Sequence, residues 1–410
     1  MKLWTLVIIL LILYELKNEP LSIFQKFFLP KYPHSNNITS DFVTLAKQTG
    51  YFAEEHMVVT EDGYTILFHR IPYSPASNIT HKIRPIILLQ PGAFASSNYW
   101  ILYGSKRSLA CSLADAGFDV WLGNARGNIY GQTHVKFSST DKEFMQFSFH
   151  EIAIYDVPAI IDYILNYTKS KELYFIGHSM GTTLSYILLS TRPDYNEKIR
   201  LVVSLAPTAY WKKNLMSPLV KFIITYDSII KFLLELGKIY GVKPNSIVNK
   251  LLITACSNES ILQPLCVSLF FALFGSDPFQ TKPSEIQRFF NYYPSGGSIK
   301  IFYHYIQNIM AENFQNYDYG YEYNMKLYKQ REPLEYDLTK ISTPVALIYG
   351  KNDLLVSDKS LIELYKKLSN ILIFEVVPYN DFTHIDFITA IDVKKLLNDR
   401  IVDLLKHHSQ

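Results

Sequence analysis

The order of apolar runs constrains this chain most. Between residues 85 and 207, short and nearly unbroken apolar stretches alternate with longer segments whose apolar residues recur at helical spacing. "RPIILLQPG" reads as a buried strand, "SKRSLACSLADAG" as a helix ending in glycine, and "FDVWLGNARG" as a strand with its loop. "FHEIAIYDVPAIIDYILNYT" reads as an amphipathic helix, with "LYFIG" and "IRLVVSLAP" as further strands. A strand without polar alternation is covered on both faces, so this pattern predicts a mostly parallel sheet flanked by helices. Upstream, "HMVVTEDGYTILFHRI" reads as two strands joined by a Glu-Asp-Gly turn. The alternation stops near residue 208, and to about 335 the text is helical and apolar, as in "PLVKFIITYDSIIKFLLELGKIYG" and "PLCVSLFFALFG". It resumes with "TPVALIYGKND" and "ILIFEVVPYND" and closes on the amphipathic "AIDVKKLLNDRIVDLLKHH". The predicted organisation is an α/β core in two parts, residues 40–207 and 336–406, with residues 208–335 inserted as a helical cap over the strand ends. A chain of 410 residues with 48% hydrophobic content is long enough to bury such a core.

Sheets of this kind form their sites at the carboxyl ends of the strands. There "GHSMG", residues 177–181, follows "LYFI" and precedes the helical "TTLSYILLS". The pentapeptide alone also fits a glycine-lined turn of any α/β protein. The flanking strand and helix make it a nucleophile elbow, with Gly177 and Gly181 leaving room for a strained backbone that holds out the Ser179 hydroxyl. A serine is a poor nucleophile until a base takes its proton and an acid orients that base. Asp353 stands at the end of "PVALIYGKND" and His384 in the loop "PYNDFTHID", which gives the chain order Ser, Asp, His of an α/β hydrolase. Asp381 and Asp386 sit too close to the histidine in sequence to reach Nδ1 well, and Asp358 falls in the next helix, so Asp353 is preferred. His178 is read as a packing or turn residue that points away from the serine. For a developing oxyanion, the backbone N–H groups of Met180 and of Ala93, in the loop after "IILLQ", are the expected donors.

A net charge of +3 without a basic stripe argues against nucleic acid as a partner. The N-terminal "MKLWTLVIILLILYELKNEP" carries about twelve apolar residues after one lysine, closer to a secretory signal over residues 1–20 than to a span of ~20 residues. No small-residue cleavage site follows cleanly, which leaves an uncleaved signal anchor as the alternative. No later run is long and apolar enough to cross a bilayer. Sequons at Asn37, Asn78, Asn166 and Asn258 agree with passage through the secretory pathway. Of three cysteines, Cys256 and Cys266 lie close enough in sequence for a local disulfide, and Cys111 reads as a buried free thiol. CxxC and HExxH spacings do not occur, so neither a metal nor a cofactor is expected.

The strings "LLQPGAFASSNYW", "FDVWLGNARGN", "FSFHEIAIYDVPAIIDYIL", "GHSMG", "YPSGGS" and "HIDF" resemble the acid lipase family, the gastric and lysosomal lipases of triacylglycerols and sterol esters. The resemblance covers residues 40 to 400. It implies an α/β-hydrolase fold with a helical cap and lid, secretion or lysosomal delivery, and N-glycosylation. It further implies Ser179, Asp353 and His384 as triad, Ala93 and Met180 as oxyanion donors, Cys256–Cys266 as the cap disulfide, and a lipid–water interface as partner. Two positions depart from the family: Pro91-Gly92-Ala93 stands where His-Gly-Leu is usual, and Met180 where glutamine is usual. Both presumed donors are backbone groups and survive these changes, while the pocket wall is altered. Rival readings are a small-ester carboxylesterase and a non-catalytic lipid-binding protein on a lipase scaffold.

Overall fold

The computed structural model describes residues 41–75, 84–213, 216–244 and 247–409. The signal segment and the sequons at Asn37 and Asn78 lie outside the described residues. Strands β1 (Glu54–Val59), β2 (Tyr64–Ile71), β3 (Ile86–Gln90), β4 (Asp119–Leu122), β5 (Leu173–His178), β6 (Ile199–Leu205), β7 (Val345–Tyr349) and β8 (Ile371–Val376) form one sheet. Their spatial order is β1-β2-β4-β3-β5-β6-β7-β8, and a short ninth strand, Thr133–His134, pairs with β2. The pairs β1·β2 and β2·β4 are antiparallel, and every pair from β4 through β8 is parallel.

Burial explains the apolar text of the central strands. Every residue of β3, β4 and β5 is buried, whereas the edge strands β1 and β8 alternate half-buried with exposed positions. Successive side chains of a strand point to opposite faces, so the sheet feeds two cores. Ile87 and Leu89 of β3 join Ile176 and Val203 on one face, and Leu88 joins Phe175 and Val202 on the other. Register then lines up the strand ends. Gln90 lies opposite Gly177, His178 opposite Leu205, and Leu205 opposite Ile348, which puts the loops after β3, β5, β6 and β7 side by side.

Helices α1 (Phe42–Gln48), α2 (Leu109–Asp115), α3 (Val157–Thr168) and α4 (Met180–Thr191) belong to the first part of the core. The long amphipathic segment expected before β5 is helical from Phe149 but passes through a π-helical stretch, Ile152–Asp156, before α3. Between β6 and β7 the described residues hold α5 (Pro218–Thr225), α6 (Asp227–Leu236), α7 (Ile247–Ala255), α8 (Gln263–Phe274), α9 (Pro283–Phe290), α10 (Ile299–Ala311) and α11 (Tyr321–Leu327). Two short strands that the text did not signal, Gly241–Val242 and Gly297–Ser298, pair antiparallel within this segment. A disulfide joins Cys256 to Cys266, tying the end of α7 to α8, while Cys111 is buried and free in α2. Asn166 and Asn258 are exposed. The C-terminal part adds α12 (Asp358–Lys367), α13 (Asp386–Thr389) and α14 (Asp399–Ser409). Among the described residues no helix is long and apolar enough to cross a membrane.

Candidate active site

Ser179 caps β5 and opens α4 with φ 53° and ψ −119°. A positive φ is unfavourable for a residue with a Cβ and persists only where neighbours impose it. Here the Ser179 N–H donates to Leu205 O (3.0 Å), while its carbonyl accepts from Thr182 N (2.8 Å), Thr182 Oγ1 (2.7 Å) and Thr208 Oγ1 (2.8 Å). The two flanking glycines are needed for close approach of backbone to backbone. A Cβ on Gly177 would lie 2.5 Å from Gly181 C, and one on Gly181 would lie 2.3 Å from Gln90 O. Strand, elbow and helix therefore cross at a distance that no side chain permits.

The His384 ring reaches this elbow from the loop after β8. Its Nε2 is 2.9 Å from Ser179 Oγ and its Nδ1 is 2.8 Å from Asp353 Oδ2. A carboxylate only accepts, so Nδ1 carries the proton and Nε2 is left to accept from the serine hydroxyl. Asp353 is fixed by the chain that follows β7, because its Oδ1 accepts from Leu355 N (2.8 Å) and Val356 N (3.0 Å). Both His384 and Asp353 are buried. The inserted segment also holds the histidine, since His384 N donates to Phe274 O at 3.1 Å. Of the competing carboxylates, Asp381 is exposed and Asp358 begins α12. Asp386 is buried and accepts from Thr383 N, Thr383 Oγ1 and Thr281 Oγ1, a tie between this loop and a residue two positions before α9. Burial pushes its carboxyl up to about 6, against the pull of the Thr383 and Thr281 hydrogen bonds.

His178 was read from the sequence as packing, and it is buried between Tyr99 and Phe387. Its Nε2 lies 2.9 Å from His384 O, so it donates there and braces the backbone of the histidine that faces the serine. Burial, with the nearby His384, pushes its ring down to about 3. It is therefore a neutral donor near pH 7.

The loop Pro91–Ala95 packs against the elbow. A Cβ on Gly92 would sit 3.3 Å from Ser179 Cβ, Ala95 N bonds Gly92 O (3.3 Å), and Phe94 adopts φ 57°. Ala93 is half-buried and Met180 is buried at the first position of α4. Sequence reasoning missed what holds this loop. Asn124 Oδ1 accepts from Ser97 N (2.8 Å), Asn128 Nδ2 donates to Ala95 O (3.2 Å), and Tyr130 OH donates to Asn98 Oδ1 (2.8 Å). Behind it, the buried Arg126 guanidinium binds Asp156 of the π-helical stretch and Asp62. The two asparagines of "GNARGN" were the available signal, since buried amides four residues apart in a loop imply partners nearby. Among the described residues no group of three or more His, Cys, Asp or Glu side chains is arranged to hold a metal ion.

A model of the alpha/beta hydrolase fold matches residues 85–390, and one of a partial alpha/beta-hydrolase lipase region matches residues 42–104. Human gastric triacylglycerol lipase is 35% identical over 380 residues, 91% of this chain and 93% of that one. This chain belongs to the acid lipase family. Within the family, human lipase member N is 34% identical over 364 residues, covering 88% of this chain and 89% of that protein. A putative lysosomal acid lipase/cholesteryl ester hydrolase of Crotalus adamanteus is 35% identical over 357 residues, 86% of this chain and 87% of that one. Among solved structures, a bacterial membrane phospholipase A superposes with a TM-score of 0.50 at 15% identity over 100% of both chains, a likeness of fold alone.

Proposed function

We propose that this acid lipase family member hydrolyses the ester bonds of neutral lipids, triacylglycerols or sterol esters, through an acyl-enzyme on Ser179. The observation that carries the reading is the continuous hydrogen-bond path from Ser179 Oγ through His384 to Asp353, at 2.9 and 2.8 Å, on a strained elbow. His384 takes the hydroxyl proton as Oγ attacks the ester carbonyl. Asp353 keeps the ring in the acceptor tautomer and stabilises the imidazolium. Backbone N–H groups of Met180 and Ala93 stabilise the oxyanion, and the amino end of α4 adds a favourable dipole. His384 then protonates the departing alcohol, and water repeats the sequence with the roles reversed.

Residues 208–335 act in this reading as the cap and lid. Helices α5 and α6 bury no residue. Ile229, Phe232 and Leu236 form one exposed stripe on α6, and Leu262, which caps α8, forms another with Leu265 and Leu269 of that helix, at the same spacing. Side chains three and seven positions on from the first share a helix face, so each stripe is a continuous apolar edge suited to a lipid–water interface. The disulfide, the exposed Asn166 and Asn258, and the gastric and lysosomal relatives support a secreted or lysosomal protein with glycans on those asparagines.

The test is turnover of emulsified long-chain triacylglycerol and cholesteryl ester by the glycosylated protein beside Ser179→Ala. The variant is expected to lose about 10⁴-fold or more in kcat. A loss of less than tenfold would remove Ser179 from the chemistry. No turnover of either lipid or of short esters by the unaltered protein would favour a lipid-binding role.

A further inference from the structure

A cavity lies away from the elbow, between the cap helix α6 and the start of α10. Its volume is about 310 Å³, within the range of small-ligand sites. Three lysines reach it: Lys142 from the loop before Met145, Lys231 from α6 and Lys300 from α10. Among the described residues none of the three makes an ion pair. Lys300 Nζ instead donates to Tyr319 OH at 3.0 Å and lies 4.7 and 4.6 Å from the ring centres of Tyr317 and Tyr319. Lys231 and Lys142 lie over Tyr303 and Tyr240 at 5.6 and 5.3 Å. Burial pulls the Lys300 ammonium below its ordinary range, with Glu151 acting the other way. The Tyr303 hydroxyl, also on the cavity wall, is buried without a hydrogen-bond partner. Met145, Leu234, Ile239 and Ile299 make the remaining wall apolar.

The donors placed on the wall select the ligand. Three lysines and two carboxylates, Glu235 and Asp318, line the cavity. Asp318 is already engaged with Gly320 N and Asn324 Nδ2. Two further acids stand behind the wall, Asp227 one turn before Lys231 and Glu151 near Lys300. A single negative charge attached to an apolar chain meets the Lys300 ammonium, the idle Tyr303 hydroxyl and the apolar wall together.

We propose that this cavity binds a long-chain monocarboxylate, a free fatty acid, with its carboxylate at Lys300 and the Tyr303 hydroxyl and its chain along Leu234, Ile239 and Ile299. The bound acid touches α6 and α10 at once and so fastens the outer cap helix to the inner one. The site rests on the esterase reading only for the source of the acid, which is the product of that reaction. The experiment is calorimetric titration of dodecanoate, below its micellar concentration, into protein whose Ser179 has been covalently blocked with a long-alkyl phosphonate. One-to-one saturable binding is expected. Lys300→Gln should weaken it at least about tenfold, as should replacing dodecanoate by dodecanol. Lys231→Gln, on an exposed helix, should weaken it several-fold while leaving turnover of a soluble short ester unchanged. The proposal is overturned by absence of saturable binding, by equal affinity for dodecanol, by folded lysine variants that bind unchanged, or by tighter binding of dodecyl phosphate. Failure of the phosphonate to label Ser179 counts against the esterase reading instead. In that event the same titration on Ser179→Ala protein decides the cavity alone.

Discussion

Replacing Asp353 by asparagine should be far more damaging than its near-identical shape suggests. Asp353 Oδ1 accepts two backbone N–H groups, from Leu355 at 2.8 Å and Val356 at 3.0 Å, and Oδ2 faces His384 Nδ1 at 2.8 Å. An asparagine must keep its carbonyl oxygen on the two N–H donors, because turning the amide over would set its NH₂ against both. The NH₂ group then faces Nδ1 and forces that nitrogen to accept. The ring proton moves to Nε2, which can no longer take the proton of Ser179 Oγ, 2.9 Å away. In serine hydrolases the wrong tautomer lowers kcat by about 10⁴-fold, or about 5 kcal/mol of transition-state stabilisation. KM should move by no more than about threefold, because no substrate contact is lost. The unfolding free energy should stay within about 1 kcal/mol, since both backbone N–H groups keep their acceptor. Steady-state turnover of a soluble ester, with urea unfolding of the same preparation, reads all three quantities. An asparagine variant that keeps more than a tenth of wild-type kcat would refute the tautomer argument.

Gly181→Ala should unfold the elbow before it affects chemistry. Its Cβ would lie 2.3 Å from Gln90 O, and neither backbone can yield without breaking the β3·β5 register, so a loss above about 3 kcal/mol is expected in urea unfolding. Asp386 carries a pH signature. Its folded value of about 6 stands above the ordinary 3.8, so folding favours its neutral form, and the stability it contributes is present below about pH 4 and lost as pH rises to about 6. Asp386→Asn is neutral throughout, so its stability relative to wild type should climb between about pH 4 and 6 and then level off; a flat difference would contradict the shift. Phe232→Ser with Leu236→Ser removes two exposed residues of the α6 stripe. Turnover of emulsified triacylglycerol should fall at least about fivefold with short-ester hydrolysis unchanged, and parallel loss on both would deny α6 an interfacial role.

Much of this architecture was legible in the text because its causes are local. An apolar run such as "LYFIGH" is a strand buried on both faces, and the glycines beside Ser179 mark a crossing too close for any Cβ. Asp353 was legible as the carboxylate at the end of a strand, and the structure brings its carboxylate to His384 and the His384 ring to Ser179. What escaped was long-range. Periodicity cannot tell a π turn from an α turn over five residues, so Ile152–Asp156 read as plain helix; there Asp156 binds the Arg126 side chain across thirty positions. His178 was placed as packing, but its donation to His384 O depends on a loop more than two hundred residues away. Apolar composition likewise gave no sign that α5 and α6 have no fully buried residue, because core and uncovered faces are written with the same residues.

The insertion between β6 and β7 has a topological meaning. These strands are parallel neighbours, with Val202 opposite Val345, so the chain leaving the end of β6 must return to the opposite end of the sheet before β7 can begin. In an ordinary α/β protein a dozen residues of crossover helix make that trip. Here the return leg is the short turn Leu338–Lys340, lying beside α4, and the residues before it make the helical insertion. The whole helical insertion is thus an overgrown crossover, leaving one end of the sheet, returning at the other, and fastened between them to the His384 loop through Phe274 and Thr281. A roof rebuilt on the same register must still offer a carbonyl to His384 N, as Phe274 does, and a hydroxyl to Asp386, as Thr281 does.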